Sequence, residues 1–305
     1  NDVLGPLTAQ IARRRYYTSP DGPLSSLSGR LEIADFVKTH LPEIAARAAA
    51  QPGPPTERVS QVPAMPIFMY WGTGFERAPA IVRACAAQLR RVHPDALLLD
   101  AGSVRELIDV PEPVAAATEA DYPAQFSDFL RVALLERYGG IWVDATCWVP
   151  SLLRAPVGEL LSAGVLFPRW TPNQISNWFV AALPGNRLIS MLRAGLEIWW
   201  ERRGTLPDYF LFHRIFSSLE SKDSEVHRIW KAVPTMGSLP CHYLQAAMYR
   251  QYDAQEVAVL VEKAIVQKLS HKFDAQTVPE GSILARILSG RPLEERPSPE
   301  PAPGW

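Results

Sequence analysis

Residues 66–102, PIFMYWGTGFERAPAIVRACAAQLRRVHPDALLLDAG, decide the fold. PIFMYWG is a short apolar run stopped by glycine, the pattern of a buried strand. APAIVRACAAQLRRVHP then repeats apolar residues at helical spacing and ends at Pro94. DALLLDAG is a second buried strand, with Asp100 at its exit. Strand, helix and strand at such short separation predict a βαβ unit in a parallel sheet. Ligands of such sheets gather at the carboxyl ends of the strands. Trp71 and Gly72, closing the first strand, stand at such an end.

Composition narrows the function classes. A chain of 305 residues holds one large domain or two small ones and buries a sizeable core. Its 47% hydrophobic and 21% charged residues are those of an ordinary globular protein. The formal net charge of −1 gives no overall attraction to nucleic acid, so no nucleic-acid partner is expected. Cys85, Cys147 and Cys241 are far apart and form no CxxC pair, which argues against a zinc site or a disulfide framework and suits a reducing compartment. No run approaches the length of a membrane span, and no charged-then-apolar leader opens the sequence. A cytoplasmic setting is the default, with peripheral association at the inner membrane face as an option. The first residue is Asn1, which leaves a lost leader or anchor open.

The 28 prolines exceed the usual share of about 5% and cluster. QPGPPTERVSQVPAMP (51–66) reads as a linker, because proline removes donors and biases its neighbours to extended geometry. Before it, LEIADFVKTHLPEIAARAAA (31–50) reads as a small helical segment interrupted at Pro42. The expected organisation is therefore a helical segment and linker over 1–64, a functional domain over 65–290, and a disordered Pro-rich tail over 291–305. Within the domain, NRLISMLRAGLEIWWERRG (186–204) reads as a helix whose tryptophans face the core rather than a membrane surface.

Residues 126–150, FSDFLRVALLERYGGIWVDATCWVP, carry the candidate site. Ser127 is a good cap for a helix, and Asp128 and Arg131, three apart, share a face near its start. Gly139 suits the left-handed conformation that ends a helix, and Gly140 allows a tight turn into the strand that follows. Alternation along that strand points Trp142, Asp144 and Thr146 to one side. A carboxylate and a hydroxyl so placed suit a divalent cation or a pair of ribose hydroxyls. Spacing alone leaves a surface ion pair and ordinary turn chemistry equally open.

The stretch SDFLRVALLERYGGIWVDAT (127–146) resembles the DXD-motif sugar transferases, the group that includes glycosyltransferase family 32 and the large clostridial toxins. Their shared pattern is Ser-Asp, Arg three residues on, GG, an aromatic residue and Asp-X-Asp. It resembles still more the capsular polysaccharide synthesis family, with its IW-DAT form. YWGTGFERAPAIVRACAAQLRR, ISNWFVAALPGN, DYFLFHRIF and QKLSHK match in the same order, so the resemblance spans about residues 65 to 275.

The resemblance implies an α/β domain of the GT-A type, Rossmann-like and nucleotide-sugar-binding, with additional helices at the N-terminus and on the acceptor side. It places Trp71 by the nucleobase, Asp128 and Arg131 at ribose and donor sugar, Asp144 as the first carboxylate of the motif, and Asn177 facing the donor sugar. It implies a manganese or magnesium ion held through Asp144, with His271 as a later ligand. The departure is Thr146, which stands where those enzymes carry the second aspartate. The candidates to stabilise a leaving diphosphate are Arg131, a bound cation, and Lys268 or Lys272. Asp208 and His213 fall on the acceptor-side helix without an assigned role.

The function this implies is transfer of a sugar from a UDP- or GDP-sugar to a hydroxyl of a glycan or glycan-lipid, with retention, in capsule or other surface polysaccharide synthesis. A glycosidase using two carboxylates fits poorly, because nucleotide binding already explains Asp128 and Asp144 and a hydrolase does not need the Trp-Gly strand end. Two alternatives stay open: a degenerate module that binds a nucleotide-sugar or glycan without turnover, and a toxin-like enzyme that glycosylates a protein.

Overall fold

The computed structural model describes residues 27–50 and 64–293, beginning on a 23-residue helix, Leu27–Ala49 (α1). Pro42 lies inside α1 without ending it. The proline removes one backbone donor, and the buried row Ile33, Phe36, Val37, Ile44 and Ala48 anchors the helix on both sides of it. Residues 51–63 of the expected linker lie outside the described residues.

The βαβ reading is met. Strand Ile67–Tyr70 (β1) leads through helix Ala80–Val92 (α2) to strand Leu97–Leu99 (β2), and the two strands pair in parallel, Phe68 against Leu97 and Tyr70 against Leu99. Two short helices, Val104–Leu107 and Glu112–Thr118, lead to helix Pro123–Tyr138 (α3). Strand Gly140–Val143 (β3) then lies parallel to β1 on its other side, Ile67 against Ile141. After β3 come Cys147–Trp148 (β4), Val165–Leu166 (β5), Pro168–Thr171 (β6), Gln174–Ile175 (β7) and Phe179–Ala182 (β8). The main sheet has the order β2-β1-β3-β8-β5, with β8 antiparallel to both β3 and β5. It is a mixed α/β fold built on a parallel core.

Helix α3 starts at Pro123, not at Ser127. Proline is pre-set for a first helical turn, so Ser127 is interior, and Asp128 and Arg131 sit in the second and third turns rather than at the cap. Between the sheet and helix Arg187–Arg202 (α4), α3 is buried nearly all round, from Phe126 to Leu135. Asn186 caps α4 by accepting from the backbone N–H groups of Leu188 and Ile189. Trp199 and Trp200 of α4 are buried, which settles them as core residues. Phe36 of α1 packs edge-on against Trp199 at 4.7 Å, and Arg47 reaches Glu197 and Glu201 of α4. The N-terminal helix thus shares the hydrophobic core of the sheet and of helix Leu211–Lys222 (α5).

The turn from α3 into β3 requires both glycines. Gly139 has φ 64° and Gly140 φ 94°. A Cβ on Gly140 would run into the Pro66 carbonyl oxygen, which accepts the Ile141 N–H at 2.7 Å. That approach locks β3 beside β1.

The C-terminal part contributes strands Met236–Gly237 (β9) and Gln267–Lys268 (β10) to two small sheets separate from the main one. β9 pairs with β6, and β10 pairs antiparallel with β4, placing Lys268 opposite Cys147. Leu293 is buried, and its carbonyl accepts from the Tyr252 hydroxyl at 2.8 Å. The packed chain therefore runs past the expected boundary at 291. Residues 294–305 lie outside the described residues.

Candidate functional site

Topology brings the expected residues to one edge. Because β1, β2 and β3 are parallel, their carboxyl ends coincide, and Trp71, Asp100 and Asp144 follow directly upon them. β8 runs the opposite way, so its amino end returns Asn177 and Trp178 to the same edge. The Asp144 N–H donates to the Trp178 carbonyl at 2.8 Å, which fastens the two together.

Arg131 is the centre of the polar cluster and is only 3% exposed. Its Nη1 donates to Asp128 Oδ1, and its Nη2 to Asp144 Oδ1 at 3.1 Å and to Ser127 Oγ at 3.4 Å. Asn177 Nδ2 donates to the same Asp128 oxygen at 2.8 Å, and Trp142 Nε1 to Asp144 Oδ1 at 2.9 Å. The guanidinium lies 5.2 Å from the Trp142 ring centre and 5.9 Å from that of Phe212. Burial lowers the Arg131 pKa, and Asp144 opposes that shift. A buried fork joining two carboxylates is no surface ion pair; charge-assisted bonds in a dry setting are the strong kind. The i, i+3 spacing on α3 thus marks a buried ion pair at the carboxyl edge of the strands.

Asp144 and Thr146 do not lie on a strand, as alternation suggested. β3 ends at Val143, and a turn closes where the Cys147 N–H donates to the Asp144 carbonyl at 2.8 Å. The two side chains nonetheless meet one partner. Lys268 Nζ donates to Thr146 Oγ1 and lies 3.6 Å from Asp144 Oδ2. The β10–β4 pairing sets this up, with the Leu269 N–H bonded to the Thr146 carbonyl at 2.8 Å.

Trp71, half-buried, lies edge-on to His271 at 5.8 Å between ring centres. Partial burial, then Lys268 and Lys272, hold the His271 pKa below its ordinary value. Gly72 closes the strand end: its carbonyl accepts from the Ala101 N–H at 3.2 Å, and a Cβ there would stand 3.1 Å from the Tyr70 hydroxyl. Asp100 is a turn residue, accepting from the backbone of Gly102 and Ser103. Asp208 accepts from the Phe210 N–H at 2.8 Å and from Arg214 at 3.3 Å, an anchor for α5. Burial pushes the His213 imidazole down to about 3, with Arg131 and Arg214 adding to the shift, so it is neutral.

The donor set suits a divalent cation poorly. Asp144 Oδ1 already accepts from Arg131 and Trp142, and its Oδ2 faces the Lys268 ammonium. The Thr146 hydroxyl is bonded to the same ammonium. Among the described residues, no three His, Cys, Asp or Glu side chains form a cluster able to hold a metal ion. A hard cation takes several oxygen ligands, and here the acids are matched by cations of the chain itself.

A family model described as capsular polysaccharide synthesis protein matches residues 31–287. The chain belongs to that family. The matched span takes in α1 as well as the sheet, in keeping with the shared core. Among solved structures the chain is similar to the PaToxG glycosyltransferase. The two share 17% identity over 72% of this chain and 89% of that one, with a TM-score of 0.35, too slight a likeness to bear on mechanism. No curated protein sequence matches the chain. Among the described residues no helix is long and apolar enough to cross a membrane.

Trp142 and Ser127 belong to the polar cluster, and sequence reading did not place them among the candidate site residues. The signal for Trp142 was the alternation that set it on the side of Asp144. Ser127 was read as a cap, and its hydroxyl instead faces the Arg131 fork.

Proposed function

We propose that the chain is a glycosyltransferase with a GT-A type donor site, moving a sugar from a UDP- or GDP-sugar to a hydroxyl of a glycan or glycan-lipid in surface polysaccharide synthesis. The observation that carries this reading is the buried Asp128–Arg131–Asp144–Asn177 cluster at the carboxyl edge of the parallel strands, where such sheets bind nucleotides. Trp71 offers a half-exposed aromatic face for the base, and stacking of this kind contributes roughly 1–3 kcal/mol per base. Asp128 and Asp144 accept from ribose and sugar hydroxyls, and Asn177 shares its amide between Asp128 and the donor sugar. Arg131 fixes both carboxylates, so the hydroxyl-binding edge is rigid before the donor arrives. Pre-set donors and charges of this kind are the main source of transition-state stabilisation.

The test is release of UDP or GDP from a panel of UDP- and GDP-sugars. Slow hydrolysis of one donor, lost in Asp144→Asn with the fold intact, is expected. Binding of UDP or GDP without turnover of any donor would make the chain a nucleotide-sugar-binding module. Absence of both binding and turnover would remove the reading.

A further inference from the structure

We infer that Lys268 does the work of the missing second aspartate and its metal ion: its ammonium neutralises the donor's diphosphate directly, and transfer needs no divalent cation. The inference rests on the glycosyltransferase reading. Its basis is the position of Nζ, bonded to the hydroxyl of Thr146 and 3.6 Å from Asp144 Oδ2. Thr146 and Asp144 are the two residues that the motif would present to a cation, and a cation of the chain already stands between them.

The charge count agrees. Asp128 and Asp144 contribute two negative charges, Arg131 and Lys268 two positive ones, so no surplus negative charge remains to attract a dication. Thr146 is what makes the arrangement stable. A carboxylate there would bind the ammonium tightly and present a third negative charge to the diphosphate, whereas a neutral hydroxyl only orients Nζ. An ammonium has three protons to donate. Thr146 takes one and Asp144 lies beside a second, so a third can meet a phosphate oxygen. β10 holds Lys268 in place through its pairing with β4, so the charge is fixed rather than recruited.

In the transfer, the bond from the anomeric carbon to the β-phosphate oxygen breaks and its electron pair goes to that oxygen. A bond forms from the acceptor oxygen to the same carbon, and the acceptor's proton is released to solvent. The charge that grows on the departing diphosphate is what Lys268 stabilises, the part a bridging metal otherwise plays.

Calorimetry with UDP and with GDP decides the matter, each in excess chelator and again in excess manganese or magnesium. The wild-type chain is expected to bind one nucleotide about equally in both conditions, within roughly threefold, and to hydrolyse its donor in chelator. Lys268→Met should weaken that binding by about tenfold or more, the usual worth of a hydrogen bond to a charged group, and Lys268→Arg should restore most of it. Nucleotide binding by the wild type that vanishes in chelator overturns the inference while leaving the glycosyltransferase reading in place. So does unchanged binding in a folded Lys268→Met variant. If that variant does not fold, the wild-type chelator arm decides alone. If neither nucleotide binds under any condition, the glycosyltransferase reading fails and the inference falls with it.

Discussion

Arg131 joins Asp128, Asp144 and Ser127 through a single planar group. Lysine has the charge but not the planar fork, so its ammonium does not reproduce the fixed geometry of bonds to two carboxylates set by different elements. Arg131→Lys should therefore lower donor turnover by on the order of 100-fold, the scale of losing one fixed donor in a charged site. It should also lower stability by about 1–3 kcal/mol, because a carboxylate loses its partner in a buried place. Turnover with UDP- and GDP-sugars and a melting curve, measured on the same preparation, check both. At this scale the sequence was informative. Asp128, Arg131, Asp144, Thr146 and Asn177 were all marked by residue type and spacing or by resemblance, and they form one contiguous cluster. Spacing could not tell that Asp144 and Thr146 leave a turn, because period-2 alternation looks the same until backbone pairing ends.

The α3–β3 corner shows how local chemistry fixes an element. Gly140 has φ 94° and no room for a Cβ against the Pro66 carbonyl. Gly140→Ala should cost at least about 2 kcal/mol, combining backbone strain with a displaced β1–β3 contact. Chemical denaturation of the folded variant measures it, and a loss under about 0.5 kcal/mol, the level of an ordinary surface change, would contradict the packing described here. The GG pair was legible because glycine is the residue such a corner demands. The start of α3 was not: the helix opens on Pro123 after Tyr122, which makes no side-chain cap, and the better cap residue, Ser127, lay further inside. The unbroken α1 was hidden for a related reason. A proline ends a helix on local terms, and only the buried face supplied by α4 and α5 outweighs it.

At the scale of the whole molecule, the imidazoles of His93, His213 and His271 are held below their ordinary pKa. Burial depresses His93, whose Nε2 accepts from the Leu153 N–H at 3.1 Å; His213 is pushed to about 3; His271 is lowered beside two lysines. Each folded-state value lies below the unfolded one, so the unfolded chain takes up more protons as the pH falls. The stability tied to neutral imidazole is thus fully present above about pH 6.5 and is lost as pH drops below it. Carboxylates held low, such as Asp95 beside Arg154 and Asp100 in its turn, add a separate loss only at more acid pH. The melting temperature should be flat above about pH 7 and fall between about pH 6.5 and 5. His93→Gln, whose amide oxygen still accepts from Leu153, should flatten part of that slope. What the sequence could not give at this scale was pairing between distant segments: the reversal of β8 that returns Asn177 to the edge, and the β4–β10 ladder that sets Lys268 against the turn. Neither leaves a local pattern.

That ladder has a consequence for how the protein comes into being. Trp71, Asp128, Arg131, Asp144 and Asn177 all precede residue 180 and are brought together by the β1–β3–β8 part of the sheet and the helix packed on it. Lys268 comes from a strand close to the end of the described chain. Until translation has passed it, the Asp144 and Thr146 turn lacks the ammonium it faces in the finished fold. A chain that stops short of β10 therefore holds Asp144 and Thr146 without the charge that faces them in the finished fold.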